Sequence, residues 1–410
     1  MAPVESRRGL AQRAGIAATL VLAAALVSYH VNSGEFQRAS ADSSLRGGLE
    51  QAPGSPASPV SAGCHGSVPV HVSSSTEKSA IITGLAEKFN QDDAARRLPD
   101  GACARIGVDS LTSGRAEQYL KVGWPTTATD PKTARPQPEP QVWLPSSSLW
   151  PALVGSGYGT SKGSIAQSPL VLAMPAVEVA ALEWKEHPRT WLGLLRLFAS
   201  GANWRDYQNH PEWGRFRLAQ DRPQQSTSGL ESLVVMAHAA ANNPGDPRFV
   251  QKVQSSVTEF TDNESDLMRT LNGLSRSADP AAVERYTSGI LMPEQLLFSY
   301  DRRTPDEPLV PLYPTGGTVM FDHPYIELPG LSAEVKAAAD LFHRYLMTPK
   351  SQHRLELAGF RINNRGAVTA RLRAIVPAAK ALPPRKQLPV PSTSKLKAIL
   401  AVTTSGRGRR

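Results

Sequence analysis

The stretch Val68-Pro69-Val70-His71-Val72, continued by Ser73-Ser74-Ser75-Thr76 and then by Ile81, Ile82, Leu85, Ala86 and Phe89, decides the fold class. The first run is rich in β-branched residues and reads as a strand. The last recurs at the 3.6-residue period of a helix. A strand that passes through a hydroxyl-rich turn into a helix is the repeating unit of a layered α/β domain. Working outward, the unit returns. Cys103 to Val108 is a second strand candidate, followed by a short helix from Ala116 to Val122. Gln141-Val142-Trp143-Leu144-Pro145 leads through Ser146-Ser147-Ser148 into an apolar helix start. Phe216-Arg217-Leu218-Ala219 leads through Ser226-Thr227-Ser228-Gly229 into a helix from Leu230 to Ala241. Pro169 to Met174 is a continuous apolar run, as expected of a strand buried on both faces. Residues 188–199 are an amphipathic helix carrying Trp191, Leu192, Leu195 and Phe198, and residues 244–285 read as helix and turn. Glu294 to Tyr300 reads as helix or strand, Leu309 to Leu312 and Thr318 to Phe321 as strands. Ala333 to Leu346 and Ser351 to Gly359 close the body as helices. The expected class is α/β with a largely parallel sheet.

The chain has 410 residues, enough for two to three ordinary domains. Arg7, Arg8 and Arg13 precede an uncharged run from Ala14 to Tyr29. A positive stretch before a short apolar run reads as an export signal, either cleaved or retained as a membrane anchor at residues 1–30. Residues 31–65, with Pro53, Pro56 and Pro59, read as a flexible Ser/Gly/Pro stalk. Residues 376–410 read as a basic, Pro-rich linker and tail. The body from about residue 66 is expected outside the cytoplasm. Cys64 and Cys103 are the only two cysteines, and an even pair in an exported chain favours a disulfide.

The net charge of +9 suggests nucleic acid at first sight. Ten Lys/Arg and no Asp/Glu lie in residues 371–410, and residues 1–30 carry a net +2, which leaves −3 for residues 31–370. A body that is slightly acidic lacks the basic face of a phosphate-backbone grip. Dispersed acids and histidines, with no paired His/Cys spacing, point to no metal centre and no cofactor.

Three hydroxyl clusters stand at strand-to-helix junctions: Ser73–Thr76, Ser146–Ser148 and Ser226–Ser228. Each is an ordinary helix cap if taken alone. Together they also suit a cleft that binds a polar ligand at converging helix starts. Gly159-Thr160-Ser161-Lys162-Gly163 matches the letters of a nucleophile elbow, but it lacks the strand-before, helix-after setting and reads as a flexible connector. Six tryptophans between Trp143 and Trp213 read as core.

Four of these segments, Val70–Phe89, Pro140–Ser148, Ser168–Pro175 and Phe216–Leu230, resemble in order the extracellular solute-binding proteins of the type II periplasmic-binding fold, the two-lobed receptors associated with ABC importers. The late segment Ala337–Phe360 resembles their carboxy-terminal helices. The likeness is to an actinobacterial branch in which this region precedes a von Willebrand factor A domain. No Asp-x-Ser-x-Ser motif of that domain is present here. The resemblance implies a solute-binding-like domain over residues 66–375, with lobe one at 66–165 and 308–375, lobe two at 166–307, and two crossover strands as hinge. It implies a small polar solute between the lobes, without catalysis, held by Ser74, Ser75, Thr76, Ser146, Ser147, Thr227, Ser228, Gly229 and Tyr313. A membrane permease or cell-envelope protein is the implied partner, with membrane association through the amino-terminal segment and no role for nucleic acid. Two other readings stay open: an interaction module that keeps the fold without a transport ligand, and a serine hydrolase using Ser161.

Overall fold

A computed structural model of the chain describes residues 63–410 apart from 132, 244, 247, 304–305, 363–368, 371–385 and 406–410, and apart from the side chains of 402–405. The export segment and most of the stalk fall outside the described residues. Among the described residues no helix is long and apolar enough to cross a membrane.

Two mixed sheets organise the body. The first has the order β2-β1-β3-β11-β4, from β1 (Ser67–Ser74), β2 (Cys103–Ser110), β3 (Val142–Leu144), β4 (Thr160–Ser164) and β11 (Pro324–Glu327). Here β1 runs parallel to β2 and β3, while β11 runs antiparallel to β3 and β4. The second has the order β10-β5-β8-β6-β7, from β5 (Ser168–Pro175), β6 (Leu218–Asp221), β7 (Val257–Thr261), β8 (Gly289–Pro293) and β10 (Met320–Phe321). A further strand, β9 (Leu309–Leu312), pairs antiparallel with β5. Sequential βα units supply the parallel pairs. The antiparallel pairs come from the strands that carry the chain between lobes, so neither sheet is as parallel as expected.

The chain leaves the first sheet after β4 and returns to it at β11. Residues 309–321, assigned from the sequence to lobe one, therefore pair with the second sheet. The Thr160–Ser164 segment, expected as a flexible connector, is β4: Lys162 is held by Asp340 at 2.7 Å and Glu327 at 3.3 Å. Strand β8 is buried along its length and escaped the sequence reading, as did the edge strand β7.

Lobe one has its own core, in which Val70, Val72, Phe89, Tyr325 and Phe342 are buried between sheet and helices. One face of the second sheet packs Val171, Ile290, Leu297 and Tyr300. A third apolar cluster runs continuously from Leu111, Trp143 and Trp150 of lobe one to Leu230, Val234 and Phe198 of lobe two. Five of the six tryptophans read as core are buried, Trp143, Trp150, Trp191, Trp204 and Trp213, while Trp184 is only partly buried against the same cluster.

The tail departs from expectation. Thr318 N–H donates to the Lys386 carbonyl at 3.0 Å and Leu388 N–H to the Thr318 carbonyl at 2.8 Å. The helix Thr393–Ser405 then packs on both the Leu149–Val154 and Thr227–Ala241 helices, with Leu388 and Leu396 buried in the shared cluster. A basic composition does not prevent docking, because Leu388, Leu396, Ile399 and Leu400 offer an apolar stripe. Cys64 and Cys103 form a disulfide with Cα atoms 5.5 Å apart, tying the start of β1 to the start of β2.

Candidate functional site

Sheet geometry brings the hydroxyl clusters together. Ser73–Thr76 spans the end of β1 and the start of the next helix and Ser146–Ser148 follows β3, two parallel neighbours, so both clusters lie at the same edge of the first sheet. Ser226–Ser228 follows β6 and opens the Thr227–Ala241 helix of the second lobe.

The lobes meet here in direct contact. Gly114 N–H donates to the Gln225 carbonyl at 3.0 Å, and Gln118 Nε2 to the Gln224 carbonyl at 3.3 Å. A Cβ on Gly114 would lie 2.2 Å from the Gln224 carbonyl oxygen, so only glycine permits this approach. Trp150 Nε1 donates to Thr227 Oγ1 at 2.7 Å.

Inside this junction the serine hydroxyls are already engaged. Ser75 Oγ and Ser146 Oγ each donate to Glu77 Oε1 at 2.6 Å. Ser226 Oγ and Ser228 Oγ each donate to Glu264 Oε1 at 2.6 Å. The chain's own carboxylates thus stand where an oxyanion would meet these donors. Ser75 begins the Thr76–Asn90 helix without capping it through its side chain, whereas Ser226 does cap, accepting from Ser228 N–H at 3.1 Å. The plain capping reading therefore holds for Ser226 and fails for Ser75 and for Ser148, which begins the Leu149–Val154 helix without a side-chain cap.

Lys78 is fully buried beside Glu77, with its ammonium 3.4 Å from Oε1 and hydrogen-bonded to Ser75 Oγ. Burial alone would raise the Glu77 carboxyl. Lys78, His323 and the Ser146 and Ser75 hydroxyls outweigh it and hold the group at about 2. Burial pushes the Lys78 ammonium down and the Glu77 charge pulls it back. His323 is also fully buried, its Nδ1 3.7 Å from Glu77 Oε1, and neither ring nitrogen makes a hydrogen bond. Burial and the Lys78 charge lower it to about 3, so the ring is neutral. On the other lobe, burial and then the Glu77 charge raise Glu264. Asp221, which accepts from Thr261 Oγ1, is raised well above the usual carboxylate range by burial and by Glu264.

The sequence-derived residues distribute as follows. Ser74, Ser75, Ser146, Ser147, Thr227 and Ser228 are buried in this junction, with Thr76 partly buried at its edge. Gly229 serves packing instead: a Cβ there would lie 2.4 Å from the Asp221 carbonyl oxygen. Tyr313 stands elsewhere. Its hydroxyl donates to Glu294, whose carboxylate is gripped by Arg361 through Nε at 2.8 Å and Nη2 at 2.7 Å. Arg361 also pairs through its backbone with Gln167 on the path from β4 to β5, so this buried ion pair belongs to the hinge. Ser161 lies on exposed β4 and accepts from Gly163 N–H at 3.2 Å.

Sequence reasoning missed Glu77, Lys78, Asp221, Glu231, Glu264, Asp322 and His323. A signal existed for two of them. Lys78 falls on the same helical stripe as Ile82, Leu85 and Phe89, and Glu231 is the sole acid in Leu230–Ala241. A charge on an apolar stripe marks a buried, partnered group.

Among the described residues no group of three or more His, Cys, Asp or Glu is placed to hold a metal. The family model described as bacterial extracellular solute-binding protein matches residues 70–361. An uncharacterized protein of Mycobacterium tuberculosis strain H37Rv is 27% identical over 300 residues, covering 70% of this chain and 41% of its own; a protein of strain CDC 1551 / Oshkosh matches equally. The chain thus spans about two fifths of the length of these curated relatives. Among solved structures, a periplasmic thiamin binding protein superposes with a TM-score of 0.55 at 12% identity, covering 83% of this chain and 96% of its own. The periplasmic binding protein AfuA from Actinobacillus pleuropneumoniae, with fructose-6-phosphate bound, gives 0.53 at 12%, covering 83% and 99%.

Proposed function

The chain belongs to the bacterial extracellular solute-binding protein family, and on that premise we propose that it is an exported, non-catalytic receptor that takes a small polar solute between its two lobes. The observation that carries this reading is the convergence of polar side chains from both lobes on one buried junction: Ser75, Glu77, Lys78 and Ser146 from one side, Ser226, Ser228 and Glu264 from the other. In a two-lobed fold such a junction opens by hinge motion and closes on a ligand that replaces its internal hydrogen bonds. The Glu294–Arg361 pair sits at the pivot and keeps the hinge intact while the lobes part. A membrane permease or envelope protein is the partner we assign. The two mycobacterial relatives, in which the matched region is part of a longer chain, support the actinobacterial branch.

One observation favours a second reading, an interaction module without a transport ligand. The apolar cluster joining Trp143 and Trp150 to Leu230 and Val234 crosses the lobe boundary, and the Thr393–Ser405 helix packs over it.

A thermal-shift screen of the full chain against oxyanions, amino acids, short peptides, sugars and polyamines separates the two. A ligand that binds only the native state raises the melting temperature by mass action. The receptor reading expects a concentration-dependent rise with one class. A flat response across all five from a cooperatively melting chain overturns it in favour of the second.

A further inference from the structure

We propose that a cavity beside the serine junction binds a small organic cation: a primary ammonium on a short apolar chain, held by the carboxylates of Glu231 and Asp322. The proposal rests on the receptor reading and assigns its solute class.

The cavity holds about 60 Å³ and is lined by both lobes and by the docked tail. Ser147 and Ser148 come from the loop after β3, Glu231 from the Thr227–Ala241 helix, Asp322 from the chain returning to lobe one, and Leu388 and Val390 from the tail. No Lys or Arg stands among the described residues that line it. Glu231 is only 1% exposed, and its Oε2 has no hydrogen-bond partner. A buried carboxylate oxygen without a donor is costly, and native structures seldom leave one without a reason. Asp322 accepts from Ser148 N–H at 2.7 Å and Ser148 Oγ at 2.5 Å, and each carboxylate oxygen retains a further lone pair. Two carboxyl groups, beside Ser147, Ser148 and Gln387 and facing Leu149, Val234, Val319 and Leu388, match an ammonium head and a hydrocarbon tail.

Protonation agrees with this geometry. Burial raises the Glu231 carboxyl to about 8, and the Ser147 hydroxyl only partly offsets it. Burial likewise raises Asp322, against its Ser148 hydrogen bonds and the Lys78 charge. At neutral pH the empty site keeps its proton on Glu231. An entering ammonium brings the missing positive charge, and that proton leaves to solvent. The four serines at Glu77 and Glu264 already have carboxylate acceptors, so they offer an anion nothing equivalent.

The test is calorimetric titration of the full chain with n-butylammonium chloride, with n-butanol and sodium butyrate as controls, in two pH 7 buffers of different ionisation enthalpy. The proposal expects saturable binding of the amine alone, with a heat that depends on the buffer because a proton is released. Glu231→Gln keeps the shape, removes the charge and weakens binding at least tenfold. Val390→Glu, at a wall position 66% exposed, adds a rim carboxylate without touching the core and strengthens binding several-fold. Equal binding of butanol, an unchanged affinity in Glu231→Gln, or no amine binding overturns the proposal. If the amine fails while another class of the solute panel raises the melting temperature, the cation assignment falls and the receptor stands. If every class fails, both fall.

Discussion

The indole N–H of Trp150 on lobe one donates to the Thr227 hydroxyl on lobe two at 2.7 Å, and both side chains are buried. The contact places an aromatic core residue and a cleft hydroxyl in a single bond. Lobe closure therefore draws on core packing as well as on the polar residues of the junction. Thr227→Val keeps the β-branched shape and deletes the hydroxyl, leaving the buried Trp150 indole N–H without its acceptor. Chemical denaturation should show a loss of about 1–3 kcal/mol, and an unchanged midpoint would mean that the bond adds nothing.

Gly114 sets how closely the lobes approach. A side chain there meets backbone of the Gln224–Gln225 turn, which cannot move aside as a flexible side chain would. Gly114→Val is expected to hold the lobes apart and enlarge the radius of gyration in small-angle scattering, while circular dichroism stays native. A scattering curve identical to wild type would remove the helix Ser113–Lys121 from any role in closure.

Glu231 gives a pH signature. Below pH 4.5 its carboxyl is protonated in both folded and unfolded chains. From there up to about 8 only the unfolded chain ionises, so stability falls as pH rises through this window. The whole window amounts to roughly 3–5 kcal/mol. Glu231→Gln removes that slope, so its stability relative to wild type rises from pH 5 to pH 8.5. Parallel curves for the two proteins would show that Glu231 ionises freely in the fold.

The disulfide closes a loop with a sequence separation of 39. Replacing both Cys64 and Cys103 by Ser should lower stability by about 2–4 kcal/mol, read from denaturant midpoints. Wild type in reductant should match the variant, and a disagreement between them would place the effect in packing at Cys103.

Much of this architecture was legible in the sequence, for particular reasons. The units at Val68–Phe89 and Phe216–Ala241 carry strong local periodicity and reappear as β1 with its helix and β6 with its helix. Strands β7 and β11 were not legible, because Val257–Thr261 is a half-exposed edge and Pro324–Glu327 opens on proline. The hydroxyl clusters were found, since Ser and Thr concentrate at helix starts. The carboxylates they hold were not, because Glu264 lies 36 residues from Ser228 and only the tertiary fold brings it there. Tyr313 was expected with the solute-holding hydroxyls, but its hydroxyl donates to Glu294 beside Arg361, a pairing between distant segments that only the tertiary fold makes. The tail was read from its charge, while its docking depends on a few leucines.

The central claim is that the lobes open and close about the Glu294–Arg361 hinge to admit a solute. Spin labels at Lys121 on lobe one and Arg269 on lobe two, both on exposed or half-exposed sites, report the interlobe distance by double electron–electron resonance. Without solute the account predicts a closed population together with a longer-distance one. An effective solute from the panel should collapse the longer population onto the closed distance. A single distance that no solute alters would contradict it.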